Sequence, residues 1–337
     1  MTTTATNRVR PPFDPQIAQA MAENAADVVT SMSAEDIHTL RERAVRPTDA
    51  ELTAGGTFRL SEHRAPGPAG DVRVVVLAPA APSAAPRPAL LHLHGGGLVM
   101  GDLLSDVPGM LDLAGAAGCT LVSVDYRLAP EHPYPAALED AYAALVWLAG
   151  QADTLGVDPG RVVVSGVSAG GGLAAALALL VRERGGPALL GQLLSCPMLD
   201  DRSDSGSALQ MEGHGSWDRT ANATAWAAYL GTAPGGPGVP ATAAPARALD
   251  LGGLPPAFVD VASAETFRDE CVAYAARIWA CGGDAELHVW PGGCHAFDFL
   301  APEADLSRDA RAARSRWLRR LLDRPARADG RHPTPGG

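Results

Sequence analysis

Residues 161–184, RVVVSGVSAGGGLAAALALLVRER, constrain this chain more than any other stretch. The valines suit a buried strand, and the Ala/Leu-rich continuation suits a helix. Only a short glycine-rich turn separates them. A strand that becomes a helix so abruptly must place Ser168 on a tight turn, with small residues flanking it at Gly166 and Gly170. The helix N-terminus that follows favours a developing anion. With 37 glycines in the chain, a G-x-S-x-G pattern alone arises by chance about 0.2 times. The strand before it and the helix after it are what make Ser168 a candidate nucleophile.

The remaining sequence extends the same alternation. Short β-branched runs at 57–62, 72–77, 89–94, 120–126, 161–165, 190–195, 257–261 and 285–290 predict eight strands. Between them, segments at 107–117, 136–155, 169–184, 268–281 and 305–322 have helical periodicity. This predicts an α/β fold with a mostly parallel central sheet flanked by helices. Two interruptions stand out. Residues 1–50 carry apolar positions at helix spacing (Ile17, Met21, Val28, Val29, Met32, Ile37, Leu40) ahead of any strand, which predicts two helices. Residues 201–250 break the alternation with Trp217, Trp226, Tyr229 and the run GTAPGGPGVP. Both segments are expected to form a helical cap on a catalytic domain spanning 51–323. Residues 324–337 (RPARADGRHPTPGG) lack periodicity and read as a disordered tail.

A second glycine run, His94-Gly95-Gly96-Gly97, closes the 89–94 strand. Consecutive glycines let backbone N–H groups point into a site without Cβ obstruction, as an oxyanion hole requires. Gly95 and Gly96 are the expected donors, joined by the N–H of Ala169 next to the candidate nucleophile.

With both motifs, the chain resembles the hormone-sensitive-lipase-like family of α/β-hydrolases, the bacterial family IV esterases, over most of residues 70–300. The stretch Asp125-Tyr126-Arg127-Leu128-Ala129-Pro130-Glu131 is similar to that family's wall-forming segment. Three positions depart from its pattern: Val167 replaces the elbow's acidic residue, Leu98 the aromatic after the glycine run, and Ala296 a glycine. The resemblance implies an α/β-hydrolase fold and a Ser, acid, His order along the chain. Val261-Ala262-Ser263-Ala264-Glu265-Thr266-Phe267-Arg268-Asp269-Glu270 is similar to the family's acid loop, with Glu265 where an aspartate is usual; Asp260 and Asp269 are rival acids. Pro291-Gly292-Gly293-Cys294-His295-Ala296-Phe297 is similar to its histidine loop, which implies that His295 is the base. The implied activity is hydrolysis of short to medium acyl esters without cofactor or metal. A metabolite-specific amidase, lactonase or deacetylase, or a non-catalytic small-molecule receptor, would share this scaffold.

Composition bears mainly on exclusions. A net charge of −11 argues against nucleic acid or an anionic membrane as partner, leaving a small acyl substrate. All 27 basic residues are arginine, which removes Schiff-base, Ser-Lys and Walker A chemistry. The five cysteines form no C-x-x-C pair. His92-x-His94 could be read as paired metal ligands, but the glycine run already accounts for His94, leaving His92 a structural role. Cys294, adjacent to His295, reads as a packed loop cysteine, and Trp217 and Trp226 as either core or cap floor. No apolar leader or span is evident, so a cytoplasmic protein is expected. By analogy, an edge strand is compatible with a homodimer.

Overall fold

The computed structural model describes residues 9–324. All eight expected strands form one sheet: β1 (Phe58–Gly67), β2 (Gly70–Pro79), β3 (Arg87–Leu93), β4 (Thr120–Val124), β5 (Val157–Val167), β6 (Gly191–Ser195), β7 (Ala257–Ala262) and β8 (Ala285–Trp290). Their spatial order is β1-β2-β4-β3-β5-β6-β7-β8. The β1–β2 hairpin and the β2–β4 pair are antiparallel, and every other neighbouring pair is parallel. This is the α/β-hydrolase architecture that the sequence predicts.

Among the described residues, twelve α-helices surround the sheet: α1 (Pro15–Glu23), α2 (Asp36–Glu42), α3 (Asp49–Leu52), α4 (Val107–Ala117), α5 (Ala136–Gly150), α6 (Ala152–Leu155), α7 (Ala169–Arg184), α8 (Gly206–Gln210), α9 (Arg219–Leu230), α10 (Arg268–Ala280), α11 (Phe297–Leu300) and α12 (Asp305–Leu322). Strand alternation divides the apolar residues into two layers. Val164, Leu194 and Val259 face α7, α5 and α10, whereas Val163, Leu193 and Phe258 face α4 and α12. Because the central strands are covered on both sides, their sequences read as continuous apolar runs.

Several boundaries differ from the sequence reading. β1 runs to Gly67 because its hairpin ladder with β2 continues to the Gly67–Gly70 pair. The helix expected over 136–155 breaks at Gln151, and a third short helix, α3, follows the two predicted near the N-terminus. The 201–250 segment supplies α8, α9 and a 3₁₀ turn at Pro245–Arg247. It is not a separate body: Trp217, Trp226 and Tyr229, with Met32 and Ile37 from the N-terminal segment, are buried in the same cluster as α7. Apart from Arg324, the expected tail lies outside the described residues. Among the described residues no helix is long and apolar enough to cross a membrane. The parallel strands all end on one side, so the loops after β3, β5, β6, β7 and β8 converge there, as in other open α/β sheets.

Candidate active site

β5 passes into α7 through a single residue, Ser168, whose φ of 57° and ψ of −120° lie outside the ordinary L-residue basins. Backbone hydrogen bonds hold it there. The Ser168 N–H donates to Ser195 O at 2.8 Å, and its own carbonyl accepts from Gly172 and Met198 N–H, both at 3.0 Å. A Cβ on Gly166 would overlap the Gly170 carbonyl, and one on Gly170 would overlap the carbonyls of Leu93 and His94. The glycines are therefore required by contact with backbone, which cannot move aside. Ser168 occupies the N-cap of α7 but makes no side-chain cap bond. Its Oγ lies 2.8 Å from His295 Nε2 instead.

His295 Nδ1 lies 3.0 Å from Glu265 Oε1. The second carboxylate oxygen accepts the Ala262 N–H at 3.0 Å, so the additional methylene of glutamate is folded back onto its own loop. All three side chains are largely shielded: Ser168 is 6%, Glu265 1% and His295 7% exposed. Neither rival acid reaches the imidazole. Asp260 is ion-paired to Arg314 at 2.8 Å and accepts from Trp290 Nε1 at 3.1 Å. Burial, only partly opposed by Arg314, pushes its carboxyl above the usual range. Asp269 accepts the Ser207 N–H at 2.7 Å and pairs with Arg268.

The glycine loop requires one correction. The N–H of Gly95 is donated to Asp106 Oδ2 at 2.8 Å, so it is already committed and does not serve as an oxyanion donor. In a trans peptide the N–H points opposite the carbonyl, so pinned carbonyls define where the remaining donors face. The Gly95 carbonyl is held by His94 Nδ1 at 2.8 Å. The Gly96 carbonyl accepts from Val99 at 3.1 Å and Met100 at 2.9 Å. Each leaves the following N–H, on Gly96 and Gly97, with no acceptor among the described residues; the Ala169 N–H has none either. Gly97, at φ 63°, was not among the expected donors, although the third glycine of the run was the available signal. A Cβ at Gly95 would stand 3.7 Å from Ser168 Cβ, which places this loop beside the serine.

Other side chains close the site. Trp217 is buried in the core, and a Cβ on Gly97 would meet its Cη2 at 2.8 Å. Its ring centre is 6.4 Å from that of His295, and Phe267 meets the imidazole edge-on at 5.0 Å. Ser216 Oγ donates to His295 O and Thr266 Oγ1 donates to Trp217 O, each at 2.6 Å. These two bonds tie the 201–250 segment to the histidine and acid loops, and no local sequence pattern announces them. Leu98 adopts φ 63° and its carbonyl accepts the Ala129 N–H at 2.9 Å, joining the glycine loop to the 125–131 segment.

The paired histidines His92 and His94 have other partners than a metal. His92 lies 3.2 Å from Ser165 Oγ and 3.3 Å from Asp106, and His94 stacks on Tyr126. Among the described residues, the group with metal-ligand spacing is Cys196, Glu265 and His295, two of which already bond each other. Cys294 is fully buried, which pushes its thiol up to about 11. The arrangement supplies a hydroxyl bonded to an imidazole, a carboxylate that orients it, and N–H donors beside the hydroxyl, which is what acyl transfer to serine requires.

The profile of the alpha/beta hydrolase fold family matches residues 90–299. Esterase LipI of Mycobacterium tuberculosis is 38% identical over 260 residues, spanning 74% of this chain and 76% of LipI. Among solved structures, a bacterial heroin esterase superposes with a TM-score of 0.83 at 34% identity, over 92% of this chain and 98% of that one. Esterase LipW from Mycobacterium marinum gives 0.82 at 35% identity, over 94% and 99%.

Proposed function

We propose, for a chain that belongs to the hormone-sensitive-lipase-like esterases of the alpha/beta hydrolase fold, that Ser168, His295 and Glu265 carry out carboxylic ester hydrolysis through an acyl-enzyme. Carboxylesterase-type activity comes with the family; the assignment of roles rests on one observation. A serine in a strained strand-to-helix turn lies 2.8 Å from an imidazole whose other nitrogen faces a buried carboxylate at 3.0 Å.

His295 Nε2 accepts the Ser168 proton as Oγ attacks the ester carbonyl carbon. Glu265 holds the proton on Nδ1, so that Nε2 is the basic nitrogen, and it stabilises the imidazolium that forms. The carbonyl oxygen becomes an oxyanion facing the N–H groups of Gly96, Gly97 and Ala169; one such donor is worth about 10²–10³ in kcat. Collapse of the tetrahedral species expels the alcohol, which takes its proton from His295. Water, deprotonated by the same imidazole, then attacks the acyl-enzyme and returns the serine.

The N-terminal helices and the 201–250 segment act as a cap over the acyl pocket. Trp217 against Gly97 and the buried Phe267 beside His295 restrict the space near the serine, which suits short to medium acyl groups. A panel of p-nitrophenyl acetate, butyrate, octanoate and palmitate, extended to matched anilides and lactones, tests this reading. The expected result is highest kcat/KM between the acetate and the octanoate and at least a tenfold drop at palmitate. Preference for palmitate would refute the acyl range, and preference for anilides or lactones would refute the ester assignment.

A further inference from the structure

Asp106 occupies the N-cap of α4, yet its carboxylate makes no cap bond to that helix. Aspartate is among the preferred N-cap residues because its side chain satisfies free N–H groups of the first turn. Here the carboxylate is directed into the interior, where Oδ2 accepts the Gly95 N–H at 2.8 Å and lies 3.3 Å from His92 Nε2. His92 is fully buried on β3, and its other ring nitrogen lies 3.2 Å from Ser165 Oγ, on the strand that leads to Ser168. The carbonyl of the same His94–Gly95 peptide accepts the Tyr126 hydroxyl at 2.7 Å. One peptide plane is thus gripped through both its polar groups, from two different parts of the chain.

We propose that Asp106, held by His92, is a positioning residue that fixes the His94–Gly95 peptide and thereby aims the Gly96 and Gly97 N–H groups at the oxyanion. The inference rests on the triad reading given above. The two glycines that follow have φ of 110° and 63°, values at which only the loop's own bonds restrict rotation. An error in the first plane would propagate into the next two, and preorganised donors lose their advantage when they must be reoriented during the reaction. Burial alone would raise the Asp106 carboxyl; its hydrogen bond to His92 and the two neighbouring histidines outweigh this and hold it below the ordinary range, ionised and able to accept.

The test compares Asp106→Asn, Asp106→Ala and Asp106→Ser with the wild type. Asparagine keeps an acceptor for Gly95, whereas serine is a preferred residue at helix starts but is too short to reach the loop, so Asp106→Ser separates positioning from folding. With p-nitrophenyl butyrate, Ala and Ser are expected to lower kcat about 10–100-fold while KM stays within about threefold, and Asn to retain about a third or more of the rate. Affinity for a trifluoromethyl ketone should fall in parallel with kcat/KM. Hydrogen–deuterium exchange of residues 94–98 should accelerate in Ser and Ala but not in Asn. Unchanged exchange, a kcat within twofold of wild type in Asp106→Ser, or an Asn variant as impaired as Ala would each overturn the proposal. A wild-type protein without esterase activity would instead refute the triad reading, leaving the exchange measurement to decide the loop.

Discussion

The serine turn and the N-terminal and 201–250 segments are held to the site by different means. Around Ser168 the restraints are backbone atoms: glycines at 166 and 170 have no room for a Cβ, and main-chain bonds from Ser195 and Met198 fix the turn. The N-terminal and 201–250 segments add to main-chain bonds such as Tyr134 N–H to Tyr229 O a set of side-chain bonds that cross long stretches of sequence. Ser216 and Thr266 bridge residues 201–250 to the histidine and acid loops, Asp218 accepts from Ser31 between the two segments, and Arg41 forms a two-pronged contact with Glu131 at 2.8 and 2.9 Å. Arg41 also donates to the carbonyls of Val99 and Ala129, binding α2 to the glycine-loop side. A turn built on backbone tolerates almost no substitution, whereas segments held by several separate side-chain bonds, on top of the buried Trp217, Trp226 and Tyr229, lose those bonds one at a time.

The sharpest way to break this contrast is Gly170→Ala. The added methyl would overlap two carbonyls of β3 and its following loop, so the expected cost is about 3 kcal/mol of stability, with loss of most activity. A denaturant midpoint and esterase rate equal to wild type would show that the turn is looser than its contacts imply. Next in size are Ser216→Ala and Thr266→Val, each removing one hydrogen bond worth about 1 kcal/mol. Each should lower kcat about three- to tenfold through the loop it restrains, and a double-mutant cycle should give a coupling above about 0.5 kcal/mol. Strict additivity would mean that the two bonds restrain their loops independently.

The smallest expected effect concerns Arg41 and Glu131. Hydrogen bonding to Arg41 depresses the Glu131 carboxyl from 4.5 to about 2. A depressed carboxylate contributes stability that is present above its unfolded value and lost as pH falls through the folded one, here from about 4.5 towards 2. Because Glu131 is 56% exposed, solvent screening limits the pair to below about 1 kcal/mol. Urea midpoints of wild type and Glu131→Gln should therefore differ slightly at pH 6 and converge near pH 2. A constant difference would show that the pair does not set this part of the acid response.

The same contrast explains what could be read in advance. Glycine spacing around Ser168, the β-branched runs and the chain order of Glu265 and His295 are local patterns, and their physical causes are local: a tight turn, a buried strand, a loop at a strand end. Gly95 illustrates the limit. Its place in a glycine run marked it as a donor, but the partner that takes its N–H lies eleven residues on, in the side chain of Asp106 at the start of α4. Asp260 was a reasonable rival acid until its strand placed it against Arg314 of α12, more than fifty residues away. Side-chain bonds between distant segments leave no periodicity in the sequence, so Ser216, Thr266 and Arg41 were not legible.

Covalent labelling decides whether Ser168 is the nucleophile. Wild-type protein treated with a fluorophosphonate should gain one adduct in its intact mass, located on Ser168 in the peptide joining β5 to α7, with simultaneous loss of esterase activity. Ser168→Ala should remain unlabelled and inactive. Labelling of the alanine variant, or an adduct on any other residue in an inactivated wild type, would contradict the account.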